Sequence, residues 1–156
     1  MREVPLTKGY IAVVDDKDFA VVSQHKWQAC VTPRIVYAYR SVRKDGKHGK
    51  LYLHRFLLKV EDPKVEVDHR DHNGLNCQRY NLRIGTKADN QHNRRMRNTS
   101  ASGYKGVSLN HGKWIVQIHG KCIGRFTDII AAAKAYDVAA VAMYGEYSHT
   151  NFGGVK

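Results

Sequence analysis

The stretch from Val65 to Asn93, VEVDHRDHNGLNCQRYNLRIGTKADNQHN, gathers the side chains best suited to chemistry. It holds the adjacent pair Asp68-His69, then Asn81 twelve residues after His69, then Asn90 nine further on. Hydrolysis of a phosphodiester needs an attacking water, a base to take its proton, and a cation to neutralise charge on the phosphate and the leaving oxygen. A hard divalent cation takes oxygen ligands and keeps several waters. Asp68 and an asparagine side-chain oxygen suit such an ion, with a nucleic-acid phosphate completing the shell. His69 is the natural base, because an imidazole titrates near neutrality. It must be held neutral and aimed, which an asparagine carbonyl or a backbone oxygen can do. Asn81 is placed to pin the loop. The Asp-His pair alone fits an ordinary surface loop as well; the ordered set of four residues is harder to reach by chance.

Local signals supply the elements that must hold this set. Val65 and Val67 alternate with Glu66 and Asp68, so a strand delivers Asp68 and His69 at its end. Asn73-Gly74 marks a turn. Leu82 and Ile84 flank Arg83 in a second short strand. Thr86 is a good N-cap, and Lys87 to about Met96 reads as a helix. The outline is strand, loop, strand, helix.

Upstream, Tyr10–Val14 reads as a strand and Asp16 as the cap of a helix reaching about Gln24. Trp27–Val31 and Ile35–Val42 read as two further strands. The run from Arg43 to Lys50 is a basic turn with an Asp-Gly hairpin signal; it suits either a solvated loop or phosphate contact. In Leu51–Lys59, a strand that passes into a short apolar segment, His54 reads either as a satisfied core residue or as a support for the site.

Downstream, residues 94–103 read as a linker, basic and then small and polar. Arg94, Arg95 and Arg97 suit the tracking of a phosphate backbone, though a solubilising linker has the same composition. Tyr104–Leu109, Lys113–His119 and Lys121–Phe126 read as three short strands. A helix capped by Asp128 and stopped by Gly145 follows, with Ile129, Ala133, Tyr136 and Ala140 on one stripe. The helix covers one face of that sheet. The open face is expected to carry Lys105, Lys113, Gln117, His119, Lys121 and Arg125, residue types that read base edges when a narrow ribbon enters the major groove.

The bulk numbers agree. The chain of 156 residues carries 26 Lys+Arg against 14 Asp+Glu, a net charge of +12, which favours a polyanionic partner. Cys30, Cys77 and Cys122 are isolated and odd in number, against a disulfide framework or a cysteine-rich zinc site. No apolar run approaches a membrane span and the N-terminus is no signal peptide, so a cytoplasmic location away from membranes is expected.

The motif D-H-R-D-H-N-G-L-N through N-L-R to the Asn-rich turn resembles the HNH nucleases of phage and intron-encoded homing endonucleases, and LYLHRFLL resembles the His-Arg segment that precedes their motif. That resemblance implies a ββα-metal unit. It makes His69 the general base, Asp68 and Asn90 the ligands of one divalent ion, most simply Mg²⁺ with Mn²⁺ as substitute, and Asn81 the loop-orienting residue. His92 and Asn93 lie close enough to stand in for Asn90. Residues 103–152, with Y-K-G-V, G-K-W-I-V-Q-I, I-G-R-F and A-A-A-K-A-Y-D-V-A-A, resemble the plant ethylene-response-factor (Apetala-two) DNA-binding domain. The expected fold is α+β. A strand-rich region (1–50) leads into an HNH unit (51–97) and a linker (98–103), then a three-stranded antiparallel sheet packed on one helix (104–153). The partner implied is double-stranded DNA in a bacterial or phage-infected cell, bound by a monomer or homodimer. The competing reading is a DNA-binding regulator with an inactive HNH-like scaffold. No motif assigns a role to residues 1–50.

Overall fold

The structure, a computed structural model, describes residues 1–44, 46–93 and 101–153, the side chains of Lys44 and His92 excepted. The chain forms two compact units, Met1–Thr86 and Lys87–Lys156. Both mix helices with small antiparallel sheets. Among the described residues no helix is long and apolar enough to cross a membrane.

In the first unit β1 (Arg2–Pro5) pairs with β2 (Ile11–Val14), and α1 (Asp16–Val22) follows. A three-stranded sheet has the order β3 (Gln28–Val31), β4 (Val36–Lys44), β5 (Lys47–Tyr52). β4 alternates as its sequence suggests, and Ala38 is its fully buried inward residue. The basic stretch expected as a turn is mostly strand. Lys44 stands opposite Lys47 and Arg43 opposite His48, and Gly46 between the two strands takes φ 75°. A two-residue Asp-Gly connection favours such a tight hairpin, which lets the strands run to its edge. α2 (Leu53–Leu58) buries Leu53, His54 and Leu57, and Lys59 ends it in the left-handed conformation at φ 55°. The pair β6 (Glu66–His69) and β7 (Leu82–Gly85) completes the unit.

One apolar core joins these pieces. It contains Val4, Ala12, Val14, Val22, Trp27, Ala38, Leu53, Leu57, Cys77 and Leu82. Residues from both sides of position 50 therefore share one interior, and the strand-rich N-terminal region is not packed apart from the β6–β7 pair. Burial of this kind stabilises by about 25 cal/mol per Å² of apolar surface.

The second unit opens with α3 (Lys87–His92), which starts after Thr86; residues 94–100, with Arg94, Arg95 and Arg97, lie outside the described residues. Its sheet has the order β10 (Lys121–Phe126), β9 (Lys113–Ile118), β8 (Val107–Asn110), followed by α4 (Ile129–Tyr144). Asp128 caps α4 as its sequence predicts, its carboxylate accepting from the N–H groups of Ile130 at 3.3 Å and Ala131 at 2.8 Å. Ala132, Ala133, Tyr136 and Ala140 pack on Val107, Val116 and Ile118. Alanines let the helix lie close, and Gly106 takes up the remaining space. A Cβ there would stand 2.1 Å from the Tyr136 ring.

Candidate active site

β6 and β7 pair so that Asp68 faces Arg83 and His69 faces Leu82. The Asp68–Arg83 contact is a nearly buried ion pair. Nε and Nη2 of Arg83 donate to Asp68 Oδ2 at 2.9 and 2.5 Å. This fork fixes the carboxylate at the strand end.

The loop of residues 70–81 is polar but rigidly tied. Asn81 is 1% exposed. Its Nδ2 donates to Asp71 Oδ1 at 2.9 Å and to the Asn76 carbonyl at 2.8 Å, while its Oδ1 accepts from the Asp71 N–H at 3.0 Å. Its carbonyl accepts from the Arg70 N–H at 2.9 Å, directly after His69. Asp71 in turn accepts from the Asn73 N–H at 2.8 Å and from Asn76 Nδ2 at 2.7 Å. Burial alone would push the Asp71 carboxyl up, but the bonds donated by Asn73, Asn76 and Asn81 outweigh it and hold it below its ordinary value. Asp71 did not stand out in the sequence. The signal for it is the spacing Asp71, Asn73, Asn76, a set of side chains that readily bond nearby backbone.

Residues 1–50 supply the floor under this loop. Val13 donates to the Leu75 carbonyl and accepts from the Cys77 N–H, both at 2.8 Å. Asp15, which precedes α1 in place of the expected Asp16, accepts from the Arg79 N–H at 2.8 Å and Gln78 Nε2 at 3.2 Å. Asp18 holds the Arg79 guanidinium by two bonds of 2.7 and 2.8 Å. Gly74 lies so close to β4 that a Cβ would stand 2.4 Å from the Val36 carbonyl oxygen. Cys77 is wholly buried beneath the loop, and desolvation pushes its thiol up to about 12, which makes it an unreactive core residue.

His69 is 4% exposed. Burial lowers its pKa to about 4, against the opposing pull of Asp71 and Asp68, so its imidazole is neutral at physiological pH. Its ring meets Tyr37 at 5.8 Å between centroids and His54 at 5.0 Å, the latter nearly perpendicular at 86°. His54 is delivered by α2. Its neighbour Arg55 donates to the carbonyls of Val65 at 2.8 Å and Asp62 at 2.6 Å, which fixes the chain as it enters β6.

Asp68, His69 and Asn81 thus come together on the first unit. Asn90 lies on α3 in the second unit, followed by the buried Asn93. The donor chemistry fits a hard cation. Asp68 offers a carboxylate and the asparagines offer amide oxygens, the ligands such an ion prefers. Among the described residues no three His, Cys, Asp or Glu side chains gather as a metal group.

On the β8–β10 sheet, strand register corrects the expected open face. Lys113, Gln117 and Arg125 do share the face away from α4, since Arg125 pairs with Ile115. Ile115 on that face is nevertheless buried, outside the helix-side core. Lys121 pairs with Ile118, a helix-side residue, because the short His119-Gly120 turn sets the register. His119 leaves the strand at φ 50° and turns its ring edge to Tyr144 of α4, at 5.7 Å. Lys105 precedes β8; burial lowers its pKa to about 8 while Asp137 of α4 pulls the other way.

No family model matches the chain, and no solved structure matches it. A protein of Acanthamoeba polyphaga mimivirus, described as an uncharacterized HNH endonuclease, is 31% identical over 151 residues, covering 92% of this chain and 76% of that protein. The matched span takes in nearly all of the chain and three quarters of the relative, so this protein belongs to the HNH endonuclease family.

Proposed function

We propose that the protein is a metal-dependent DNA endonuclease of the homing type that uses His69 as general base. The observation that carries this reading is the neutral, buried His69 next to Asp68 at the end of β6, where Asn81 and Asp71 clamp the following loop. A base must be unprotonated before it acts, and burial keeps this one so. Its proton affinity is low without substrate; the negative charge of a bound phosphate raises it toward the working range. Asp68 and Asn90 hold one divalent ion, Mg²⁺ or Mn²⁺. When bound, that ion supplies charge neutralisation at the scissile phosphate. Arg83 orients the Asp68 carboxylate, and Asn81 fixes the backbone that follows His69.

Supercoiled plasmid with Mg²⁺ tests this directly. Nicked circles are expected first, because one such site handles one phosphodiester; EDTA stops the reaction and Mg²⁺ or Mn²⁺ restores it. Cutting that persists in EDTA removes the metal mechanism, and specific binding without any cutting leaves the regulator reading in its place.

The second unit is proposed to choose the DNA in the manner of an Apetala-two-type domain. The exposed residues Lys113, Gln117 and Arg125 present one polar face suited to base edges and phosphates. Arg94, Arg95 and Arg97 are assigned to the phosphate backbone, with Lys105, His119 and Lys121 at the sheet's margins. Arg43 and Lys50, which share one face of the β4–β5 hairpin, add a second basic strip. Gln117→Ala and Arg125→Ala in the full chain are expected to change which plasmid sites are nicked. An unchanged map of nick sites in both variants sinks this assignment.

A further inference from the structure

His54 is 8% exposed, and its Nδ1 is fully buried. No hydrogen bond reaches that nitrogen among the described residues. Buried polar atoms in folded proteins are almost always satisfied, by the chain, by water or by a ligand. A histidine kept only for packing normally finds a partner in the chain, and a phenylalanine fills the same space without the cost of a buried polar atom. The ring itself sits among aromatic neighbours. Tyr52 stacks on the His54 ring at 5.5 Å and 16°, Tyr37 meets it at 5.5 Å, and His69 stands perpendicular at 5.0 Å. Tyr37 also touches His69, so the two imidazoles and the tyrosine form one cluster. His54 therefore stands in the same ring cluster as the general base.

We propose that His54 is a second imidazole of the nuclease site, whose Nδ1 accepts a hydrogen bond from the water that His69 deprotonates. The assignment rests on the nuclease reading given above. One O–H proton of the water passes to His69 while the oxygen forms its bond to phosphorus. The bond from phosphorus to the leaving sugar oxygen breaks, and that oxygen takes a proton from solvent water. The second water proton stays on the attacking oxygen and points at His54, which aims the attacking lone pair. Deep burial keeps His54 in its neutral form, with a lone pair to offer.

The test uses the full chain and supercoiled plasmid with Mg²⁺, comparing wild type with His54→Phe and His54→Asn. Single-turnover nicking rate, DNA affinity without metal and thermal midpoint are measured for each. His54→Phe keeps the stacking and volume but loses the nitrogen; its nicking rate is expected to fall about 10- to 100-fold, the size of a lost orienting contact and less than the loss of the base itself, with affinity unchanged. Asparagine returns an acceptor near the Nδ1 position, so His54→Asn is expected to recover most of that loss. Wild-type nicking by His54→Phe overturns the assignment, and so does a folded His54→Asn that is as slow as His54→Phe. If the phenylalanine variant does not fold, the asparagine variant decides alone: near-normal nicking supports the assignment and loss of nicking overturns it. An unmodified chain that never nicks overturns the nuclease reading, and this assignment with it. Nicking by wild type and His54→Phe alike overturns this assignment only.

Discussion

His69→Ala lowers the rate of Mg²⁺-dependent plasmid nicking by about 10²- to 10⁴-fold, the contribution of a positioned general base. DNA affinity measured without metal stays within about twofold, because binding to a polyanion rests on cationic groups that the substitution leaves in place. The size of the effect follows from the position of the ring. It is enclosed by Tyr37, His54 and the clamped loop, so no other described imidazole stands where it stands except His54. Burial has driven His54 still further toward the neutral form, to about 3, so it is the poorer proton acceptor. Removing the His69 ring also leaves a cavity. The variant is therefore compared with His69→Gln, which fills more of the space and restores no base. Both are expected to bind as wild type does and to nick at the same lowered rate. Nicking at the wild-type rate by either variant eliminates His69 as the base.

How much of this was legible before folding depends on the range of the interaction. Features set within one element were readable. Alternation in β4, β6 and β9, the cap at Asp128 and the stop at Gly145 all follow from local periodicity and backbone preference. The Asp68-His69 pair at a strand end belongs to this class. The support of the site was not readable, because it is made across long stretches of chain. Asp18 and Arg79 are 61 residues apart, and no pattern in either segment announces the other. Val13 and Leu75 meet through backbone groups that carry no side-chain signal at all. Alternation also fails at strand ends, where a turn residue resets the count. His119 at φ 50° is such a residue, and this is why it and Lys121 depart from the expected face. Two adjacent basic strands joined by Asp45-Gly46 read as one basic loop because lysine and glycine carry little strand signal.

Asn81→Ala is the substitution expected to do most damage to the scaffold. The amide is at the centre of the loop, and truncation removes three side-chain hydrogen bonds at once. The Asp71 N–H, the Asp71 carboxylate and the Asn76 carbonyl each lose a partner, and the buried amide leaves an empty space beneath an exposed Asp71 and a half-buried Asn76. A lost hydrogen bond of this kind costs about 0.5–1.5 kcal/mol where water replaces the partner, and truncating a buried side chain adds a cavity, so a total loss on the order of 3–5 kcal/mol is expected. A loss of that size lowers the thermal midpoint by roughly 10 °C or more. The effect also reaches the chemistry, because the Asn81 carbonyl holds the Arg70 N–H one residue beyond His69. At a temperature where the variant is still folded, its nicking rate should remain well below wild type. Asn81→Asp separates shape from charge. It keeps the oxygen that accepts from Asp71 but sets a second carboxylate against Asp71 Oδ1, where like charges repel. Asn81→Asp is therefore expected to be no better than Asn81→Ala at neutral pH, although it is the closer match in size. An Asn81→Ala protein with an unchanged midpoint removes the clasp as a stabilising device. A destabilised one that nicks normally when folded confines Asn81 to the scaffold and leaves the aiming of His69 to Tyr37 and His54.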